Sequence, residues 1–186
     1  MAGRSSVRSR LLAIALATGL VGPILARPDS GPASIFISPS GEPFRPLAGE
    51  PAPFEAWFAR VDTNYDGRID RAEFQADAAA FFKRLDVNGD GVIDGFEISA
   101  YEKTIAPELT QRTDEGEAGR DAYVALLNEP EPVSGADLSL NLRITAADWR
   151  VASDRRFDML DARKTGFLDH DALLARLPKP AKSRHR

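Results

Sequence analysis

The chain has 186 residues, of which 43% are hydrophobic and 28% are charged, enough for one modest globular domain. It has no cysteine, which excludes disulfides, thiolate metal sites and cysteine nucleophiles, and its formal net charge of −4 argues against a nucleic-acid partner. Helix-compatible residues dominate, and no long run alternates apolar with polar residues. We therefore expect an all-α fold: an array of short helices whose only strands are minimal two-residue β-pairings.

The first 26 residues have the pattern of a secretory signal. Arg4, Arg8 and Arg10 form a positive start without acids, and an apolar stretch follows at 11–26. This stretch is interrupted by glycine and proline and is shorter than the roughly 20 residues that cross a membrane. We expect export to the periplasm or the medium, and no stable membrane span after cleavage.

Composition and periodicity divide the remainder. Residues 27–52 are rich in proline and glycine without helical period and predict a disordered linker. Apolar residues at helical spacing then predict helices around a core. They are Phe54, Trp57, Phe58 and Val61, followed by Phe74, Ala78, Phe81, Phe82 and Leu85. The predicted organisation is a pair of loops with their helices at 53–105, a helical connector at 106–136 with a helix near 117–128, a second pair at 137–177, and a basic tail at 178–186.

Two stretches, loop 1 (62–73) and loop 2 (86–97), share the pattern D-x-N-x-D-G-x-I-D-x-x-E. Oxygen at positions 1, 3, 5, 7, 9 and 12 suits a hard cation, and glycine at position 6 allows a sharp turn. The predicted ligands in loop 1 are Asp62, Asn64, Asp66, the carbonyl of Arg68, Asp70 and Glu73. In loop 2 they are Asp86, Asn88, Asp90, the carbonyl of Val92, Asp94 and Glu97. We predict two Ca²⁺ sites, with Mg²⁺ or a lanthanide as alternative ions.

Two further stretches, loop 3 (137–148) and loop 4 (161–172), keep part of this pattern. The four loops start at residues 62, 86, 137 and 161, so both pairs are spaced by 24 residues. Loop 3 has Leu142 at the glycine position and a short Asp148 at position 12. Its oxygens permit weak or magnesium-like binding, but the lost turn favours a purely structural role; the candidate ligands are Asp137, Ser139, Asn141, the carbonyl of Arg143, Thr145 and Asp148. Loop 4 has Arg163 at position 3 and Ala172 at position 12, so we expect no binding there.

These motifs resemble the EF-hand superfamily over roughly residues 53–177. More narrowly, the Leu-Leu-Asn-Glu-Pro-Glu-Pro stretch at 126–132 resembles exported four-hand proteins of Gram-negative bacteria. Only 12 residues separate Glu73 from Asp86, so one short helix or two stubs must join loops 1 and 2. This interval is similar to that of lanmodulin, an exported lanthanide-binding protein, although Thr63 and Val87 stand where lanmodulin loops have proline.

Three functions are compatible with this sequence. The first is calcium binding in an exported protein that acts as a buffer or as a calcium-stabilised interaction module. The second is a periplasmic protein for lanthanides or other metals, and the third is a structural adaptor for an unidentified protein partner. A sensor fits less well, because a methionine-rich groove is typical of sensors and only Met159 remains after removal of the signal. No catalytic constellation is present, so we do not expect an enzyme.

Overall fold

The structure is a computed structural model that describes residues 34–110 and 123–178. The signal at 1–26, the start of the linker, the first half of the helix expected near 117–128, and nearly all of the basic tail lie outside these residues. Among the described residues, no helix is long and apolar enough to span a membrane.

Six α-helices are present in the described part of the chain. They are α1 (Pro53–Val61), α2 (Arg71–Leu85), α3 (Gly95–Ala100), α4 (Pro107–Thr110), α5 (Ala146–Leu160) and α6 (His170–Leu174). A π-helical segment (Tyr101–Ile105) continues α3, and a 3₁₀ turn (Ser134–Ala136) precedes loop 3. Helix α1 begins with Pro53, which suits a first helical turn because its missing N–H needs no partner there. Helix α2 is continuous, so a single helix joins loops 1 and 2.

The all-α prediction is wrong, because seven strands in three sheets accompany the helices of the described residues. The strands are β1 (Ile35–Ile37), β2 (Pro43–Phe44), β3 (Arg68–Asp70), β4 (Val92–Asp94), β5 (Tyr123–Ala125), β6 (Arg143–Thr145) and β7 (Phe167–Asp169). One sheet has the order β2-β1-β5, and the others pair β3 with β7 and β4 with β6. These strands are too short to show alternation in the sequence. Except in the β1–β2 pair, the strand that completes each backbone hydrogen-bond ladder lies far away in the chain.

The N-terminal hairpin β1–β2 corrects the linker prediction for residues 35–44. Strand β1 is antiparallel to β2 and parallel to β5. Phe36 is fully buried, with its ring centroid 5.3 Å from Trp57 and 5.5 Å from Phe54. The connector is corrected too, because Tyr123–Ala125 is a strand and not part of a helix. A short apolar run in a proline-rich segment therefore completes the core, and burial of its aromatic ring outweighs the segment's tendency to disorder.

The core has two clusters, and helices α2 and α5 cross both. These helices run antiparallel: Phe74 at the start of α2 meets Phe157 near the end of α5, and Phe82 near the end of α2 meets Trp149 near the start of α5. The first cluster, here the 1/4 half, contains Phe36, Phe54, Trp57, Phe58, Val61, Ile69, Phe74, Leu126, Phe157, Leu160, Leu168 and Leu173. The second, the 2/3 half, contains Ile37, Ala78, Phe81, Phe82, Leu85, Ile93, Ile98, Tyr101, Ala106, Leu109, Val133, Ala136, Ile144, Trp149 and Ala152.

Strand pairing differs from the grouping suggested by the sequence. We grouped loop 1 with loop 2 and loop 3 with loop 4 because they are neighbours at a common spacing. In the structure, Ile69 of loop 1 lies opposite Leu168 of loop 4, and Ile93 of loop 2 lies opposite Ile144 of loop 3. Continuous helices α2 and α5 place neighbouring loops at opposite ends, so each loop can pair only with a loop from the other stretch of chain.

Candidate metal centres

Loop 1 is folded around its first aspartate. The Asp62 carboxylate accepts hydrogen bonds from the amides of Asp66, at 3.1 Å, and Gly67, at 2.9 Å. Asn64 Oδ1 accepts from the Asp66 amide at 2.9 Å, and Asp66 Oδ1 accepts from the Arg68 amide at 2.9 Å. Each polar side chain at positions 1, 3 and 5 thus faces the interior of the loop, where a cation would sit.

Loop 2 repeats these bonds one for one. The Asp86 carboxylate accepts from the amides of Asp90, at 3.1 Å, and Gly91, at 2.9 Å. Asn88 Oδ1 accepts from the Asp90 amide at 2.8 Å, and Asp90 Oδ1 accepts from the Val92 amide at 2.9 Å. The repeat in sequence is therefore also a repeat in backbone geometry.

The glutamate at position 12 closes each of these loops. Glu73 Oε1 accepts from the amides of Thr63, at 3.0 Å, and Asn64, at 3.3 Å, while Oε2 accepts from the Asp70 amide at 3.0 Å. Asp70 in turn caps helix α2 by accepting from the Glu73 amide, so the pair forms a capping box. Glu97 closes loop 2 in the same way and begins α3 with Asp94.

In loop 1 these contacts favour the charged form of Glu73. Burial acts to raise the pKa of Glu73, but hydrogen bonds from Asp70, Thr63 and Asn64 outweigh burial, so the pKa lies below its ordinary value. Glu73 is therefore ionised at neutral pH, the state in which a carboxylate can act as a ligand.

All four loops share an unusual backbone. Positions 4 and 6 have positive φ in each; the residues are Tyr65 and Gly67, Gly89 and Gly91, Leu140 and Leu142, and Lys164 and Gly166. The strain expected for Leu142 is present, since its φ is 58° where the other loops have glycine. Loops 3 and 4 thus have the same turn as loops 1 and 2 despite their altered side chains.

Loop 3 lacks the closure made by glutamate. Asp137 accepts from the amides of Leu142, at 2.7 Å, and Asn141, at 3.3 Å, as Asp62 and Asp86 do in their loops. Among the described residues, however, Asp148 accepts only from the amide and hydroxyl of Thr145, at 3.0 and 2.6 Å. Being one methylene shorter than glutamate, Asp148 forms a capping box with Thr145 at the start of α5 but does not reach the start of its loop.

In loop 4, groups at the ligand positions form hydrogen bonds within the loop. Asp161 accepts from the amides of Thr165, at 2.8 Å, and Gly166, at 2.7 Å, and these backbone bonds lower its pKa. The Thr165 hydroxyl lies 3.0 Å from Asp161 Oδ1 and 2.9 Å from the Phe167 carbonyl and shares its proton between them. Asp161 and Phe167 occupy positions 1 and 7, so a hydroxyl joins two oxygens that a cation joins in a binding loop.

The donor chemistry of loops 1 and 2 fits a hard divalent cation. Each loop offers four carboxylates, one amide oxygen and one backbone carbonyl, the all-oxygen set that Ca²⁺ prefers. Within 34–110 and 123–178, no three His, Cys, Asp or Glu side chains are already gathered into a group that could hold a metal ion. The carboxylates of both loops instead accept hydrogen bonds from loop amides.

Comparison with known proteins agrees with this geometry. Residues 54–76 and 78–100 each match the family model of the EF hand. Two adjacent segments of the chain are therefore similar to the EF hand, which supports a relation to the EF-hand superfamily. EF hands are typically non-enzymatic domains, and these matches support calcium binding in general. No curated protein and no solved structure matches the chain significantly.

The sequence did not indicate which loop pairs with each candidate site across the strands. Leu168 and Ile144, buried opposite the two intact loops, occupy positions shared by all four loops, but nothing in the sequence states which pairs form. Thr165 was also missed. Its signal was a hydroxyl at position 5 of a loop that has lost its ligands at positions 3 and 12.

Proposed function

We propose that this chain is an exported calcium-binding protein with four EF hands, of which loops 1 and 2 bind Ca²⁺ and loops 3 and 4 serve as their structural partners. The observation that carries the proposal is the matched hydrogen-bond pattern of loops 1 and 2. In both, the position-12 glutamate reaches back to the amides at positions 2 and 3. The same glutamate is the bidentate ligand of an EF-hand site.

A buffer or calcium-stabilised module suits the packing better than a sensor. Sensors open an apolar groove between their helices when calcium binds. Here Phe36 lies in the 1/4 half and Ile37 in the 2/3 half, so adjacent residues of one strand enter both clusters. Glu42 further ties the hairpin to α1 and α2 through ion pairs with Arg60, at 2.7 Å, and Arg84. A segment of the chain itself thus occupies apolar surface that a sensor would offer to a target.

Calorimetric titration with calcium tests the proposal. We expect the wild-type protein, without residues 1–26, to bind two Ca²⁺ ions, and Glu73→Gln and Glu97→Gln to lose one ion each, because an amide cannot supply two anionic oxygens. Glu50→Gln changes an exposed glutamate outside the loops and should bind two ions, which makes it the matched control. Absence of calcium uptake by the wild type at millimolar concentration would refute the proposal.

A trivalent ion is the second candidate because of loop charge. Four carboxylates give each loop a charge that Ca²⁺ only halves, whereas La³⁺ neutralises more of it. Parallel titrations with La³⁺ and Mg²⁺ distinguish these functions. A lanthanum affinity many orders of magnitude above that for calcium, with a large gain in helicity, would favour the lanthanide-binding role.

Export is a separate part of the proposal and rests on the sequence of residues 1–26. Expression of the full chain in a Gram-negative host, followed by fractionation and mass measurement, tests it. We expect a shortened protein outside the cytosol. Recovery of the full-length chain in the cytosol would contradict export without bearing on calcium binding.

A further inference from the structure

Each intact loop is paired with a loop that lacks a complete ligand set. Loop 1 shares its strand pair with loop 4, and loop 2 shares its strand pair with loop 3. The two predicted cation sites are therefore not neighbours across a common strand pair. They lie in different halves of the core, and helix α2 joins them.

Loop 4 is held in its folded shape by bonds that need no cation. The Thr165 hydroxyl joins Asp161 and the Phe167 carbonyl, and Asp161 also accepts two backbone amides. In loops 1 and 2 position 5 is an aspartate, which adds negative charge to the loop instead of a donor. The Thr165 hydroxyl thus links positions 1 and 7 of loop 4 without a cation.

The contacts from loop 4 to loop 1 reach the ligating residues themselves. Across the strand pair, Phe167 lies opposite Asp70 and Asp169 lies opposite Arg68. The Arg68 guanidinium also stacks 4.2 Å from the centroid of the Phe167 ring. Because Arg68 supplies a backbone carbonyl and Asp70 a carboxylate to the predicted site, the position of β7 sets the position of two ligands.

We propose that loop 4 is a cation-independent template that preorganises loop 1, and that Thr165 is its positioning residue. Preorganisation raises affinity because part of the ordering of loop 1 is complete before the ion arrives. Loop 2 has a different partner, so disturbing loop 4 weakens loop 1 selectively. This inference rests on the proposed function for the affinity of loop 1, but the template itself exists without calcium.

The test first leaves one binding loop intact in each protein and then removes the Thr165 hydroxyl. In a Glu97→Gln background loop 1 alone binds, and in a Glu73→Gln background loop 2 alone binds. We expect Thr165→Val, which keeps the shape but loses the hydroxyl, to weaken calcium binding at loop 1 about three- to tenfold, the equivalent of one net hydrogen bond. Loop 2 should keep its affinity, and Thr165→Ser should restore loop 1.

A second pair of variants tests the same coupling without touching the hydroxyl. Leu168→Val removes one methylene group opposite loop 1, and Ile144→Val does so opposite loop 2. We expect the first to weaken loop 1 alone and the second to weaken loop 2 alone. These mild changes remain informative if Thr165→Val fails to fold.

Hydrogen exchange without calcium separates this inference from the proposed function. We expect Thr165→Val to increase amide exchange in both β7 and β3, while β4 and β6 keep their protection. Unchanged loop 1 affinity and unchanged β3 exchange would overturn the template, as would equal weakening of both sites. If the wild type bound no calcium, the proposed function would fail, and exchange in β3 would still decide whether loop 4 orders loop 1.

Discussion

Phe36→Ala should destabilise the whole domain, although the residue lies in a stretch that reads as a linker. Its ring is fully buried and contacts the rings of Phe44, Phe54 and Trp57 at centroid distances of 6.3, 5.5 and 5.3 Å. Removing a buried phenylalanine side chain costs about 3–5 kcal/mol, through lost transfer energy and the cavity left behind. Since small domains are stable by roughly 5–15 kcal/mol, this variant loses about a fifth or more of its stability.

Urea denaturation in calcium-free buffer measures this effect. With a slope of about 2 kcal/mol per molar urea, a loss of about 4 kcal/mol lowers the midpoint by about 2 M. Leu47→Ala is the matched control, because Leu47 lies in the same stretch but is 67% exposed, and we expect a change within about 0.5 kcal/mol. If Phe36→Ala were as mild as Leu47→Ala, the hairpin would not be part of the core and its role in covering the apolar surface would fall with it.

Two further predictions concern loops 3 and 4. Leu142→Gly should stabilise the protein by up to about 1 kcal/mol, because Leu142 holds a φ of 58° with 64% of its surface exposed, whereas Leu142→Ala keeps the Cβ and should give no gain. Thermal unfolding of the three proteins tests this, and a clear loss of stability in the glycine variant would contradict it. Burial acts to lower the pKa of His170, but hydrogen bonds to Asp171 and Glu55 outweigh burial, so the pKa is raised. Protonated His170 therefore stabilises the folded protein below pH of about 6.5, and this contribution disappears as the pH rises through the folded-state pKa. The difference in unfolding free energy between wild type and His170→Gln should therefore shrink from pH 6 to 8.5, and a constant difference would exclude this role.

The folded shape of loops 1 and 2 is the part of this protein that local sequence explains. In loop 1, the bonds from the Gly67 amide to Asp62 and from the Thr63 amide to Glu73 both close within twelve residues. The spacing of side chains along such a short stretch leaves few backbone solutions. The strain at Leu142 could be predicted for the same reason, since position 6 needs positive φ in every loop.

The hairpin could not be predicted in this way. Residues 35–37 offer only a brief apolar run, and proline and glycine around it favour disorder. Their burial depends on α1 on one side and on β5, far along the chain, on the other. Neither neighbour is visible in the local pattern, so the expected all-α fold omitted the sheet that they form.

Sequence alone thus predicts where hard-cation chemistry is encoded and shows which two of the four loops keep glycine at position 6 together with glutamate at position 12. Tertiary structure decided how those loops are partnered. Ile69 meets Leu168, and Ile93 meets Ile144, because the antiparallel packing of α2 and α5 carries neighbouring loops to opposite ends of the domain. Ligand spacing is a property of twelve consecutive residues, whereas loop pairing is a property of packing between residues distant in the chain, which spacing does not record.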